Sequence, residues 1–410
     1  MSAPQRLERD ELTRLAYLML GLWGFLLYAL GPALPALRKQ LDVSRATVSL
    51  HTTLIAVGAI TVGLVGDRFV VGIGRRRAFW VAATAVSLCA LGFALGGRIE
   101  ITLPVAVLFG FSGALLVAII QAALADRHGT LGPAAIVESN ALAAALGATA
   151  PLAVAVAILL GSDWRAVFVA ASVLAVPALA LAYASVCFPA APELPHDHET
   201  ALPRGYWFYW LSLLFFVAIE FCVVFWSTDY LESERNLSAS SAAAAASVFL
   251  VGMATGRFAG GWLARRFVPE RLLVAALLVA AGGFVVFWLV PAAPAAVAAL
   301  AVTGAGVSLL YPLGLALAIR AAGGRTDAAS ARAAFATGIA VGVAPFVLGA
   351  LADAAGLRTA YAIVPLLIAV GAVTLGVARR AEAATQPAGS SPSRGREPAD
   401  AVRVPPSAGA

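Results

Sequence analysis

The chain has 410 residues, 61% of them hydrophobic, with only 28 basic and 22 acidic side chains. Soluble domains carry roughly a quarter charged residues; at 12% charged and a mean hydropathy of +0.89, most of this chain needs lipid as its solvent. The one lysine, Lys39, follows no glycine loop, which excludes a Walker-type ATPase.

Twelve apolar runs follow in order, at about 12–37, 45–65, 78–97, 101–125, 134–160, 166–188, 206–231, 239–264, 271–290, 295–319, 328–352 and 359–378. Each is long enough to cross ~30 Å of hydrocarbon as a helix. The first is expected to be a retained helix, because Glu8, Asp10 and Glu11 spoil the basic start of a signal peptide. Twelve crossings put both termini on one side. With the tail left out, fifteen Arg/Lys lie in segments on that side and seven on the other, so both termini are expected in the cytoplasm of a cell (plasma or inner) membrane. This clustering between apolar runs, despite a net charge of +6, argues against a nucleic-acid partner.

Residues 189–205 read as a Pro-rich central linker and 381–410 as a disordered tail, leaving bundles at 1–188 and 206–380. His196 and His198 lack a third ligand, and Cys89, Cys187 and Cys222 sit in or at the ends of apolar runs, so neither a metal nor a cofactor is expected. No convergent catalytic groups are visible, and an enzyme is not expected. Loops of at most about 17 residues leave little room for a receptor's signalling domain.

The two bundles repeat one another. An offset of 194 relates Ser44 to Ser238, Gly58 to Gly252, Gly66 to Gly260, Gly110 to Gly304 and Pro151 to Pro345. With one residue of drift, Trp164-Arg165 aligns with Leu357-Arg358. Six helices repeated once in the same orientation predict an all-α membrane protein of two pseudo-symmetric six-helix bundles.

Over residues ~12–380 this plan resembles the major facilitator superfamily. The loop motif between its second and third helices is matched by Gly63-Leu64-Val65-Gly66-Asp67-Arg68 and, after about four extra residues, Gly74-Arg75-Arg76-Arg77. Trp164, Arg165 and Phe168, and Gly349 to Asp353 with Gly356, are similar to further family motifs. The drug-antiporter motifs are degraded: the fourth run carries no Arg at Leu108 to Ala114, and the fifth has only Pro151 in Gly147 to Ala153. The resemblance implies a secondary transporter that rocks its halves around a small-molecule substrate, with the first, fourth, seventh and tenth helices lining the cavity and a monomer sufficing. It also implies a cytoplasmic latch at Asp67 and Arg68 with Arg75 and Arg76; the positive-inside rule alone is an equal account of the arginine run.

Within the runs, Glu220 stands near mid-membrane, where a carboxylate costs ~2.5–3.5 kcal/mol and so needs a cavity or partner. It is the leading proton-coupling candidate, with His51 a second. Trp23, Tyr28, Trp226 and Tyr311 are candidates for an aromatic substrate cavity. Asp229 reads as a gating residue, and Gln121, Glu138, Asn140 and Arg257 as a polar network on the cytoplasmic side. The expected function is secondary transport of a small organic solute, with protons as coupling partner. Proton-driven efflux of drug-like compounds is the alternative.

Overall fold

The computed structural model describes residues 7–189, 202–264, 266–323 and 326–385. Most of the 189–205 linker, with its two histidines, and residues 386–410 of the tail lie outside the described residues. No strand occurs among them.

The helices are α1 (Glu11–Leu41), α2 (Arg45–Ile73), α3 (Arg75–Leu95), α4 (Ile99–His128), α5 (Gly132–Leu159), α6 (Arg165–Ser185), α7 (Arg204–Arg235), α8 (Ala239–Leu263) and α9 (Pro269–Leu289). Next come α10, in two pieces (Ala293–Val307 and Leu310–Ala321), α11 (Thr326–Ala355), and α12 (Ile363–Thr385), which a short turn Leu357–Ala360 precedes. Among the described residues, eleven spans are long and apolar enough to cross a membrane, and α6 adds a shorter apolar stretch, Arg165–Val176. The expected tenth run is one span but not one helix. Pro312 offers no N–H to the Ser308 carbonyl four residues back, and the helix breaks at Ser308–Leu309.

Repetition in sequence becomes repetition in structure. Asp42 and Asn236, 194 apart, are the two non-glycine residues with positive φ (50° and 55°) among those described, and each ends a helix in the left-handed conformation. Two residues on, Ser44 and Ser238 cap the following helices, their hydroxyls accepting from the Thr47 and Ser241 N–H groups at 3.1 and 3.3 Å. Gly58 on α2 meets the Val107 carbonyl of α4, while Gly110 on α4 meets Ile55 of α2; Gly252 and Gly304 repeat the crossing with Ala301 and Phe249 on α10 and α8. A Cβ at any of the four would overlap a backbone oxygen.

Each half has its own ties at the face that carries the chain ends. In the first, Arg127 pairs with Asp10 at 2.7 Å and Arg75 with Asp126 at 2.6 Å, and Arg76 donates to the Tyr183 carbonyl. In the second, Arg320 joins Glu270 and Glu382, and Tyr209 donates to Glu382 at 2.7 Å.

The halves touch along three seams, α2 on α11, α5 on α8 and α1 on α7. The polar ties across them concentrate at the face opposite the chain ends. Asp229 on α7 pairs with Arg45 at 2.7 Å and Arg38 at 3.3 Å, and Lys39 meets Glu232 at 2.8 Å. Asp353 at the end of α11 accepts the Arg45 and Ala46 backbone N–H groups at 2.9 and 2.7 Å, capping the first turn of α2 from the other half. Deeper in, Thr53 donates to the Gly342 carbonyl at 2.6 Å. Toward the chain ends Leu64 and Val65 on α2, Val137 on α5 and Phe335 on α11 are exposed. The halves are therefore bolted at one face and splayed at the other, leaving a cleft that opens on the side of the termini.

Candidate functional site

The cleft ends where α1 crosses α7. Gly31 permits that approach, since a Cβ there would run into the Val224 carbonyl. One turn toward the termini from this crossing lies Glu220, halfway along the 32 residues of α7 and 7% exposed. A carboxylate at this depth needs partners, and they come from several helices. The Tyr28 hydroxyl of α1 and the Arg257 guanidinium of α8 both stand close enough to act on its charge. Tyr311 on α10 also feels the Glu220 charge and neighbours Thr337 of α11, whose hydroxyl donates to the Ala333 carbonyl at 3.2 Å. Both halves contribute: Tyr28 from the first, the rest from the second.

Arg257 corrects an expectation. The sequence grouped it with Gln121, Glu138 and Asn140, but the structure brings it to Glu220. Glu138 is held in the first half by Arg9, at 3.1 Å from its Nε, and by the Tyr17 hydroxyl at 2.8 Å. The Asn140 amide donates to its own helix at the Ile136 carbonyl, and Gln121 lies half-buried on α4.

Of the two proton-site candidates, the structure brings only Glu220 to the cleft. His51 is fully buried inside the first half, its Nδ1 2.7 Å from the Val48 carbonyl and its Nε2 2.8 Å from the Thr102 hydroxyl. The carbonyl can only accept, so Nδ1 carries a proton and donates it to Val48. That arrangement ties α2 to α4 and leaves His51 no route to the cleft.

The aromatic candidates divide in the same way. Tyr28 and Tyr311 border Glu220. Trp23 packs on Phe109, ring centroids 4.6 Å apart, over Gly113 of α4. Trp226 is closed into the second half, where its indole N–H donates to the Pro345 carbonyl at 2.9 Å and its ring covers Gly349. Asp67 and Arg68 are exposed and form no ion pair or side-chain hydrogen bond among the described residues. Arg75 and Arg76 do not bridge the halves; they fasten α3 to α4 and α6.

Sequence reasoning missed Thr337 and the bolt of Arg38, Arg45 and Asp353. Arg38 and Arg45 flank the turn into α2, and Asp353 ends α11, so all three stand at helix ends on one face, a pattern visible in the sequence. A cavity of about 690 Å³ between α1, α5 and α6, lined by residues such as Leu22, Phe25, Val156 and Leu174, is apolar and remote from these groups. It belongs to the lipid-facing side of the first half.

Residues 16–300 and 208–407 match the family model described as Major Facilitator Superfamily. No curated protein matches the chain. Among solved structures, a bacterial homolog of the human lysosomal transporter Spinster, inward-facing and occupied, superposes with a TM-score of 0.78 at 15% identity, covering 92% of this chain and 98% of that one. The nucleoside transporter NupG follows at 0.66 and 12% identity, covering 90% and 98%. FucP in its outward conformation gives 0.61 and 18%, covering 89% and 98%, and a singly substituted variant of FucP, the E. coli fucose:proton symporter, gives 0.60. At these identities the likeness is one of fold.

Proposed function

The chain belongs to the major facilitator superfamily, and from that premise we propose that it is a secondary transporter of a small organic solute, driven by protons that Glu220 takes up and releases. Membrane transport of a solute follows from the family and fold, which point to transport rather than catalysis. The solute's class and the coupling are the proposal.

What carries it is the position of Glu220. It is the one acidic side chain at mid-membrane among the described residues, roofed by the α1–α7 crossing and beside a tyrosine of the opposite half. A proton on Glu220 would remove its charge–charge attraction to Arg257, and separation of the halves would draw it away from Tyr28. Protonation and rocking thereby act on the same contacts.

With both termini placed in the cytoplasm by the Arg/Lys bias, the cleft opens inward and the Asp229 bolt is the closed outer gate. Asp67 and Arg68 would re-engage when the inner side closes. The domain bounds follow as helices α1–α6 against α7–α12, acting as a monomer in the cell membrane.

The test is transport by the Glu220→Gln variant in proteoliposomes, with a solute first found by thermal stabilisation of purified protein. Gradient-driven accumulation should vanish while solute exchange without a gradient persists. Undiminished gradient-driven transport refutes the coupling role. The direction of flux relative to the proton gradient separates uptake from efflux.

A further inference from the structure

Arg257 has a position that proton carriage alone does not explain. It lies seven residues after Leu250 and four after Met253, extending the buried stripe Ala246, Leu250 and Met253. Nearer the closed face that stripe packs against Tyr28 and Pro151 of the first half. At the level of Arg257 the halves have parted, and the side chain is exposed. It makes no ion pair or side-chain hydrogen bond among the described residues. Its place on the helix face that meets Tyr28 and Pro151 turns it toward the other half, and its charge acts on Glu220 and Tyr28. Phe258, about 100° further round the helix, takes the outward direction at 89% exposure.

The two central charges are thus unequally presented. Glu220 is buried, while Arg257, whose guanidinium is a planar fork of five donors, is exposed. A solute entering from the termini side meets a cation first. Resting on the reading of Glu220 as the proton site, we propose that the transported solute is a small organic anion whose carboxylate is held by Arg257, and that Glu220 becomes protonated as it binds.

Charge balance carries this. The empty cleft holds one positive and one negative charge. A carboxylate beside Arg257 would add a second negative charge near Glu220; a proton on Glu220 removes the repulsion and restores neutrality. Empty and doubly loaded clefts then carry the same net charge, and either can close without an unpaired ion in hydrocarbon. Tyr28 on α1, Arg257 on α8 and Tyr311 on α10 are the ionisable groups that face Glu220 among the described residues. From α11 comes the Thr337 hydroxyl, a neighbour of Tyr311.

The experiment measures thermal stabilisation of the full chain in lipid nanodiscs by benzoate and by straight-chain monocarboxylates of two to eight carbons, at pH 6 and pH 8. Matching primary amides and trimethylammonium cations serve as controls. At least one carboxylate should stabilise the protein, several-fold more tightly at pH 6, while its amide and cation do not. Arg257→Gln should weaken that binding at least tenfold and Arg257→Lys less, with unliganded melting showing that both variants fold. Glu220→Gln should keep carboxylate binding and lose its pH dependence. Stabilisation by amides or cations alone, by no carboxylate, or equally in Arg257→Gln overturns the proposal. If Glu220→Gln still accumulates solute on a gradient while Arg257→Gln loses carboxylate binding, the proton reading fails and the anion site stands.

Discussion

Asp229 on α7 holds Arg45, at the start of α2, at 2.7 Å across the line dividing the two halves, and the same carboxylate reaches Arg38 at 3.3 Å. Its side chain is 3% exposed and the arginines about 20%. Replacing one partner of such a cluster strands the others, which costs about 3 kcal/mol, roughly a hundredfold in an equilibrium. Asp229→Asn should therefore shift the protein away from the state closed at this face. A cysteine at Ser227, 1% exposed in the seam, would report it by maleimide labelling in a background without Cys89, Cys187 and Cys222. Labelling that does not accelerate would show that the bolt contributes nothing to closure.

The pseudo-symmetric crossings make a paired prediction about stability. A Cβ at Gly110 would overlap the Ile55 carbonyl, and one at Gly304 the Phe249 carbonyl, and neither backbone can yield without moving a helix. Gly110→Ala and Gly304→Ala should each lower stability by about 1–3 kcal/mol, the usual range for overpacking. Gly63→Ala is the control, with nothing within 4 Å of its Cβ; helix propensity alone should make it neutral or up to ~1 kcal/mol stabilising. Thermal melts of the three variants decide, and equal losses at all three would mean the crossings are not tight.

At the start of α1, Asp10 accepts the Thr13 N–H at 2.9 Å and its hydroxyl at 2.6 Å, and pairs with Arg127. Burial alone would push its carboxyl up, but the Thr13 bonds and Arg127 outweigh that and hold it below the usual carboxylate range. A depressed folded value means the group stabilises the fold above its unfolded pKa, near 3.9, and loses that contribution as pH falls through the lower folded value. Asp10→Ala should cost about 1 kcal/mol, a deficit constant from pH 5 to 8 and shrinking below about pH 4. A deficit that grows on acidification would contradict the sign.

What could be read in the sequence was whatever depends on one helix or on the repeat. Ser44 and Ser238, Gly58 and Gly252, and the mid-membrane depth of Glu220 follow from spacing alone. Partners across a seam do not, because they depend on how the halves tilt. Arg257 and Glu138 are both set within the third of their helices nearest the termini, which suggested one network, yet the Arg257 charge acts on Glu220 while Arg9 and Tyr17 hold Glu138. Depth likewise fails for His51: its distance from the helix start gives no hint that Thr102 of α4 stands opposite.

His51 supplies the sharpest contrast with Glu220. Both are ionisable side chains inside spans, but His51 is enclosed by Val48 and Thr102 within one half, with no group of the other half in contact through hydrogen bonds or ion pairs. Removing it as His51→Ala leaves a buried carbonyl and a buried hydroxyl each short of a partner, worth about 1–3 kcal/mol of stability. The melting temperature should fall while the pH profile of transport keeps its shape, since the rocking surfaces and the central carboxyl are untouched. Glu220→Gln should do the reverse, flattening the pH profile with little change in melting. A flattened profile in His51→Ala at unchanged stability would return His51 to the proton pathway.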